Sequence, residues 1–352
     1  MINLPLISLG IPIYNAVDLV ERTVLSALNQ TYPYIEFLFI DDKGNSMDVV
    51  RQLVSEHKRG GAVRIIDQVN NQGTGSARNA IVDNASGEYL FTMDCDDIIT
   101  PDCIDILYKK MKEHPVDFIS ASFVRSDLQG NPLSKVFRYD DVLVKDGDYA
   151  VAEYRYGKGQ YISVPTWNKL YRTSFLRENK IRCIPHYLID DTWFMYQVIL
   201  NARSCRLIPD CTLFFTYNPQ SVTTVKDNEG YTASLAEQYL ETEILKAHYI
   251  RSLRHRQLYM GLAFDTMKMS LYHLYRSYSS TRISRNEKVK LLKGFLTRHF
   301  SYPCFWNPLD KNMYLSALFL LFYGLPMWMK IFIVRFIVFI NLRKIIGRWF
   351  HF

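Results

Sequence analysis

The sequence predicts an α/β protein built on a mostly parallel central sheet flanked by helices, with a helical extension at its C-terminal end. Two observations carry this. Over the first 125 residues, short apolar runs alternate with stretches of helical apolar spacing, the pattern of successive βαβ units. Beyond about residue 228 the strand-like runs stop and long segments of helical spacing follow. Charge divides the chain in the same region. Residues 1–225 hold 23 Lys and Arg against 27 Asp and Glu, a net of −4, whereas residues 226–352 hold 19 against 8, a net of +11.

Taken in order, Leu6–Ile13 is an apolar strand ending in Pro12-Ile13-Tyr14-Asn15. A helix follows with Val17, Val20, Val24, Ala27 and Leu28 on one face. Ile35–Ile40 is a strand ending in Asp41-Asp42, and Ser46 is placed to cap the helix Met47–His57. Val63–Ile66 is a third strand, and Ser76–Ala85 is a helix after a glycine-rich turn. Tyr89–Met93 is a fourth strand, Pro101–His114 a helix and Phe118–Phe123 a fifth strand. From 126 to 225 the pattern loosens to a short strand at Trp167–Tyr171, a helix at Asp190–Leu200 and an extended piece at Leu213–Tyr217. Two helices, Tyr231–His248 and His255–Tyr278, come next, so the expected domains are 1–228 and 229–352.

The last forty residues differ again. Asn312–Met329 is an uncharged run of eighteen residues, near the lower limit of a bilayer span and interrupted by Pro326. Lys330, Arg335, Arg343, Lys344 and Arg348 then punctuate an aromatic and aliphatic segment. Residues 313–352 therefore suit a helix lying in the interface of an anionic membrane, and a buried helical hairpin is the alternative. Cys95, Cys103, Cys183, Cys205, Cys211 and Cys304 form no C-x-x-C pair, which argues against structural zinc and suits a reducing cytosol. The opening residues enter a strand directly with no basic leader, so no secretory signal is expected.

The chemistry concentrates at strand ends. Asp94-Cys95-Asp96-Asp97 crowds three carboxylates after the fourth strand, where open α/β sheets bind ligands and where a hard divalent cation is the usual tenant. An acidic cap for the following helix is the other reading. Pro12 and Tyr14, Asp41-Asp42 and the segment Gly73–Asn79 sit at the ends of neighbouring strands, and together they offer a nucleotide diphosphate an aromatic ring, a carboxylate, a basic residue and a metal site. Asp190-Asp191 opens a later helix, as a base or as an ordinary acidic N-terminus. His186 nearby reads as structural.

These segments resemble the family 2 glycosyltransferases of the GT-A fold, in the family's order and spacing. The resemblance runs from Ile7 to about Thr224 through IPIYNA (11–16), SALNQTYPYIEFLFIDD (26–42), NNQGTGSARN (70–79), SGEYLFTMDCDD (86–97), WNKLYRTSFL (167–176) and DDTWF (190–194). It implies an inverting, hexosyltransferase-type enzyme with a nucleotide-sugar donor. Carried over residue by residue, Pro12 and Tyr14 border the base, Asp42 accepts from a uracil imide and Arg78 closes that pocket. Asp94 faces the ribose, Asp96 holds Mn²⁺ or Mg²⁺ on the diphosphate, and Lys169 meets diphosphate or acceptor. Asp191 is the base, next to Asp190 where the family commonly has Glu. Two loops depart from the family's wording, Lys43-Gly44-Asn45-Ser46 and Asn218-Pro219-Gln220-Ser221, the latter lacking an Arg often found there.

The expected function is transfer from a UDP-sugar to a glycan or lipid-linked acceptor in surface polysaccharide or lipopolysaccharide synthesis, peripheral on the inner face of the cell membrane. A nucleotidyltransferase of related fold would carry a Gly-rich, basic loop after the first strand, where this chain has Tyr14-Asn15-Ala16. A nucleic-acid binder would set its basic residues in a polar groove, whereas here they are interleaved with apolar runs, so no nucleic-acid partner is expected.

Overall fold

Seven consecutive residues, Ile7–Ile13, form β1, and all seven are buried, as a strand covered on both faces requires. The computed structural model describes residues 4–185, 188–219, 221–251, 256–297 and 321–339. In chain order, β1 is followed by α1 (Val20–Leu28), β2 (Ile35–Asp41), α2 (Met47–Glu56), β3 (Val63–Asp67), α3 (Thr74–Asn84), β4 (Tyr89–Thr92), β5 (Ile98–Ile99), α4 (Cys103–Glu113) and β6 (Phe118–Ser126). Then come β7 (Val142–Val144), α5 (Ala150–Ala152), β8 (Lys169–Arg172), α6 (Thr173–Glu178), α7 (Asp190–Asn201) and β9 (Cys205–Thr216).

The strands make one sheet in the order β3-β2-β1-β4-β8-β6-β9-β5, with β7 also on β9. β3, β2, β1 and β4 are mutually parallel, and β6 and β9 run the same way. β8 enters antiparallel between β4 and β6, and β5 and β7 lie antiparallel on β9. The sheet is thus α/β and largely parallel, as expected, with an inserted antiparallel strand at its middle. The core packs Leu9, Ile11, Phe37, Phe39 and Phe91 of the sheet against Val20, Val24 and Leu28 of α1 and Ile104, Leu107 and Met111 of α4. Those helix positions recur at three- and four-residue intervals, which keeps one face inward.

One expectation fails. Ser46 does not cap α2 through its side chain. Its hydroxyl oxygen instead accepts from the Ala16 amide at 2.7 Å, and this ties the loop after β2 to the loop after β1. The cross-strand bond wins because Ser46 is fully buried and the Ala16 amide has no strand partner there.

The chain divides into two compact units, Met1–Gln220 and Ser221–Phe352. The second is helical, with α8 (Val222–Glu229), α9 (Ala233–Arg251), α10 (Arg256–Ser279), α11 (Arg285–Leu296) and α12 (Met327–Phe339). A reciprocal capping box between Ser284 and Glu287 starts α11. Tyr239 stacks on His273 at 3.7 Å, and Ala247, Ala263, Met267 and Tyr323 form a small core. Among the described residues no helix is long and apolar enough to cross a membrane. Much of the expected tail, 312–320 and 340–352, lies outside the described residues, as do His186 and Cys304.

Candidate active site

The loops after β1, β2 and β4 and the N-termini of α3 and α7 meet at one edge of the sheet. Pro12 is buried in β1 opposite Ile40, and Tyr14 follows it with 46% of its surface exposed. Asn15 adopts a left-handed φ of 45°, and its side-chain oxygen accepts from the Asn45 amide at 3.2 Å. Tyr14 therefore stands at an open rim on a fixed backbone.

Asp42 is buried, and both its oxygens have protein partners. Oδ1 accepts from the Gln72 amide at 2.7 Å and Oδ2 from the Gly73 amide at 3.0 Å. Gly73 has φ 81°, the left-handed side that glycine adopts without cost, and it leads into α3. Asp41 accepts from the amide and ammonium of Lys43. The acidic pair thus fixes the two loops that frame the site.

Arg78, on the second turn of α3 and only 7% exposed, bridges two carboxylates. One Nη donates to Asp94 Oδ1 at 2.6 Å and the other to Asp190 Oδ2 at 2.7 Å. Burial works against its charge, but Asp190 and Asp94 outweigh it and hold the guanidinium's pKa well above its ordinary value. The family resemblance implies that Arg78 closes the nucleobase pocket; its two bonds lie between the acidic cluster and the helix bearing Asp191. Asp191 is half-buried on the first turn of α7.

Within the acidic cluster the three carboxylates differ. Asp94 keeps part of its surface exposed. Asp96 accepts from Asn218 Nδ2 at 3.1 Å, and burial, then the charge of Asp94, push its pKa up to about 6. Asp97 is fully buried. Its Oδ1 accepts from the Thr216 amide at 2.9 Å, its Oδ2 has no partner, and burial ahead of Asp96 and Asp94 raises its pKa strongly. Asp97 therefore ties this loop to β9. Arg22 of α1 supports the loop from below, donating to the Asp96 carbonyl at 3.3 Å and to Thr216 Oγ1 at 2.9 Å. Among the described residues no cluster of three Asp, Glu, His or Cys is assembled to hold a metal. The donor set at the rim is all oxygen, Asp94 and Asp96, which fits a Mg²⁺- or Mn²⁺-type ion that takes only one or two carboxylates and completes its shell with phosphate and water.

Lys169 begins β8 and is fully buried. Its ammonium donates to Ser163 Oγ at 2.8 Å and the Pro165 carbonyl at 2.6 Å. Burial pushes its pKa down to about 7, and the charge of Asp191 partly offsets this. Lys169 thus holds the 163–167 loop, and it faces inward rather than into open space. Asn168, at φ 56°, turns its amide onto the Ala121 and Ser122 carbonyls and accepts from Thr212.

Sequence reasoning missed Arg22 and Asn218. Asn218 lies 122 positions from Asp96, and the only hint was the missing Arg in its loop.

Residues 8–180 match the family described as Glycosyl transferase family 2. An uncharacterized glycosyltransferase of Haemophilus influenzae is 32% identical over 136 residues, 38% of this chain and 53% of that protein. The poly(ribitol-phosphate) beta-glucosyltransferase of Bacillus spizizenii is 28% identical over 301 residues, 84% of this chain and 40% of that protein. The chain thus spans about half or less of the length of these two relatives. Among solved structures, TarS 1–349 of S. aureus in complex with UDP-GlcNAc aligns over 82% of this chain and 80% of its own, with TM-score 0.62 at 18% identity. The mannosyltransferase PcManGT of Pyrobaculum calidifontis, with GDP-Man and Mn²⁺, aligns over 82% and 74%, with TM-score 0.51 at 16% identity. The shared fold, the matched segment and the strand-end carboxylates agree: residues 8–180 are a glycosyl transferase family 2 domain, and the fold is GT-A.

Proposed function

We propose that the protein is an inverting, metal-assisted transferase that moves a sugar from a UDP-sugar to a hydroxyl of a glycan or lipid-linked acceptor for a cell-surface polymer. The observation that carries this is the Arg78 bridge. It brings the Asp94 side of the acidic cluster and the N-terminus of α7 within one guanidinium's span. Inversion needs a base apart from the leaving group, and in this reading the two acidic centres on either arm of Arg78 supply the two roles.

In this reading Tyr14 stacks on the nucleobase beside Pro12. Asp42 holds the Gln72–Gly73 turn and has lone pairs left for an imide N–H. Asp94 takes the ribose side, and Asp96, oriented by Asn218 and Arg22, is the residue that would hold Mn²⁺ or Mg²⁺. When bound, such an ion stabilises the charge that builds on the departing diphosphate. Asp191 takes the proton from the acceptor hydroxyl. Lys169, buried behind it, fixes the 163–167 loop on the acceptor side.

Attachment to the inner face of the membrane belongs to the same reading. Trp328, Phe332 and Phe336 repeat at four-residue intervals along α12 and are 69%, 68% and 54% exposed, while Lys330 and Val334 are buried. An exposed aromatic stripe in the more basic part of the chain suits an interfacial helix among anionic headgroups.

The test of the chemical reading is Asp191→Asn, which keeps size and hydrogen bonding but cannot accept a proton. Turnover should fall by roughly 10²–10⁴, the usual worth of a general base, with UDP affinity within a few-fold. Loss of UDP binding with turnover retained at saturation would make Asp191 a binding residue and end the assignment.

A further inference from the structure

The glycine-rich segment that opens α3 grips the polypeptide leading into α7 at three points. Gly75 lies so close that an added Cβ would stand 2.5 Å from the Ile184 carbonyl oxygen and 3.0 Å from Asp190 Cβ. Arg78 reaches Asp190 at 2.7 Å. Asn79 pairs with Cys183 in both directions, donating to its carbonyl at 3.0 Å and accepting from its amide at 2.9 Å. Positions 75, 78 and 79 share one helix face, so the grip is a property of the helix and not of one side chain. The other arm of Arg78 leaves this grip and ends on Asp94 at 2.6 Å.

We infer that Arg78 is a positioning residue, a strut through which a donor engaging Asp94 sets the first turn of α7 and so aims Asp191. This rests on the donor and base roles proposed above. A guanidinium suits the task because its planar fork offers two directed donors, one to each carboxylate, whereas an ammonium is a point charge that serves one side at a time. When ribose or diphosphate draws on Asp94, the share of Arg78 left to Asp190 changes. Asp190 is buried and Gly75 leaves no slack beneath it, so the change is passed to the backbone of α7. Both Nη groups of Arg78 serve carboxylates, Asp190 and Asp94, and neither serves Asp42.

Hydrogen exchange of peptides spanning 188–201 in the full chain tests the strut, with and without UDP and Mn²⁺, for the unmodified protein, Arg78→Lys and Asp190→Asn. Exchange at the first turn of α7 should slow about fivefold or more on UDP binding in the unmodified protein, and less than about twofold in either variant. Calorimetry should show UDP affinity within about threefold in both variants and an unchanged preference for UDP over CDP. Protection that persists in the variants overturns the strut. A UDP-to-CDP preference that collapses in Arg78→Lys overturns it in favour of base reading. Should the unmodified protein bind no UDP, the donor reading fails by itself, and a urea double-mutant cycle of Arg78→Lys with Asp190→Asn decides the strut. Unfolding constants that multiply within about twofold overturn it, and coupling of about tenfold or more upholds its Arg78–Asp190 arm independently of the donor.

Discussion

Replacing Lys169 by methionine should flatten the rise of folding stability with pH above neutrality. Burial lowers the Lys169 pKa from 10.5 to about 7, a shift of about 3.5 units. At about 1.4 kcal/mol per unit, the charged ammonium costs the folded protein on the order of 5 kcal/mol at pH 7 and below, relative to a lysine in water. The sign follows from proton counting. Between about pH 7 and 10 the unfolded chain keeps the proton and the folded chain does not, so stability climbs with pH, by about 1.4 kcal/mol per unit at most. Methionine fills similar volume and titrates nowhere. It leaves the Pro165 carbonyl without its donor, a loss of about 1–3 kcal/mol that is constant with pH and does not disturb the slope. Urea unfolding of both proteins at pH 7.5, 8.5 and 9.5, at one ionic strength, gives the comparison. The stability of the unmodified protein minus that of Lys169→Met should grow by about 2 kcal/mol across the series. Parallel curves would refute the reasoning, because Lys169 would then stay charged throughout, held by the 163–167 loop and Asp191.

Asp96→Ala, or EDTA applied to the unmodified protein, should abolish transfer and weaken UDP binding in the presence of Mn²⁺ by about tenfold or more; transfer that survives both treatments would end the metal reading. Changing Trp328, Phe332 and Phe336 together to serine should release the protein from anionic liposomes in a sedimentation assay, each aromatic contributing about 1.5–3 kcal/mol when fully buried in the acyl boundary. UDP binding should persist. Unchanged sedimentation would remove α12 as the docking face, and assembly of the unmodified protein into dimers lost in the triple variant would assign the stripe to a second copy.

Much of the first unit was legible because its local signals agree with its global fold. The alternation of apolar runs and helical faces through Ser126 gave β1 to β4, α1 to α4 and β6 within a few residues. The acidic cluster does sit at the end of β4, next to the loops after β1 and β2. What escaped lacks a local signal. β5 is two residues long, and it exists only because β9 lies beside it. Only an extended piece at Leu213–Tyr217 was expected, whereas β9 begins at Cys205; the register skips Pro209 and Asp210 between Ile208 and Cys211, so the proline falls in a bulge where no ladder donor is needed. The partners of Arg78 were illegible for a similar reason. An arginine in the first turns of a helix near an acidic loop fits a nucleobase pocket equally well on paper, and only the approach of α7, with Asp190 112 positions away, brings its second arm onto a carboxylate.

The antiparallel strand at the centre of the sheet bears on how this chain reaches its fold. β1, β2 and β3 arise from consecutive βαβ units whose contacts are close in sequence, so they can assemble early and while synthesis continues, and β4 then joins β1 across the longer separation from Ile7 to Tyr89. β4, however, cannot meet β6 directly. Its free edge must wait for Lys169–Arg172, some 80 residues further on, where Phe91 finds Leu170. Until then the edges of β4 and β6 are unpaired templates, the exposure that invites mispairing between chains. The event that closes the gap also buries the Lys169 amine, so the pairing that joins the two halves of the sheet coincides with a deprotonation, and refolding should run faster at pH 9 than at pH 7.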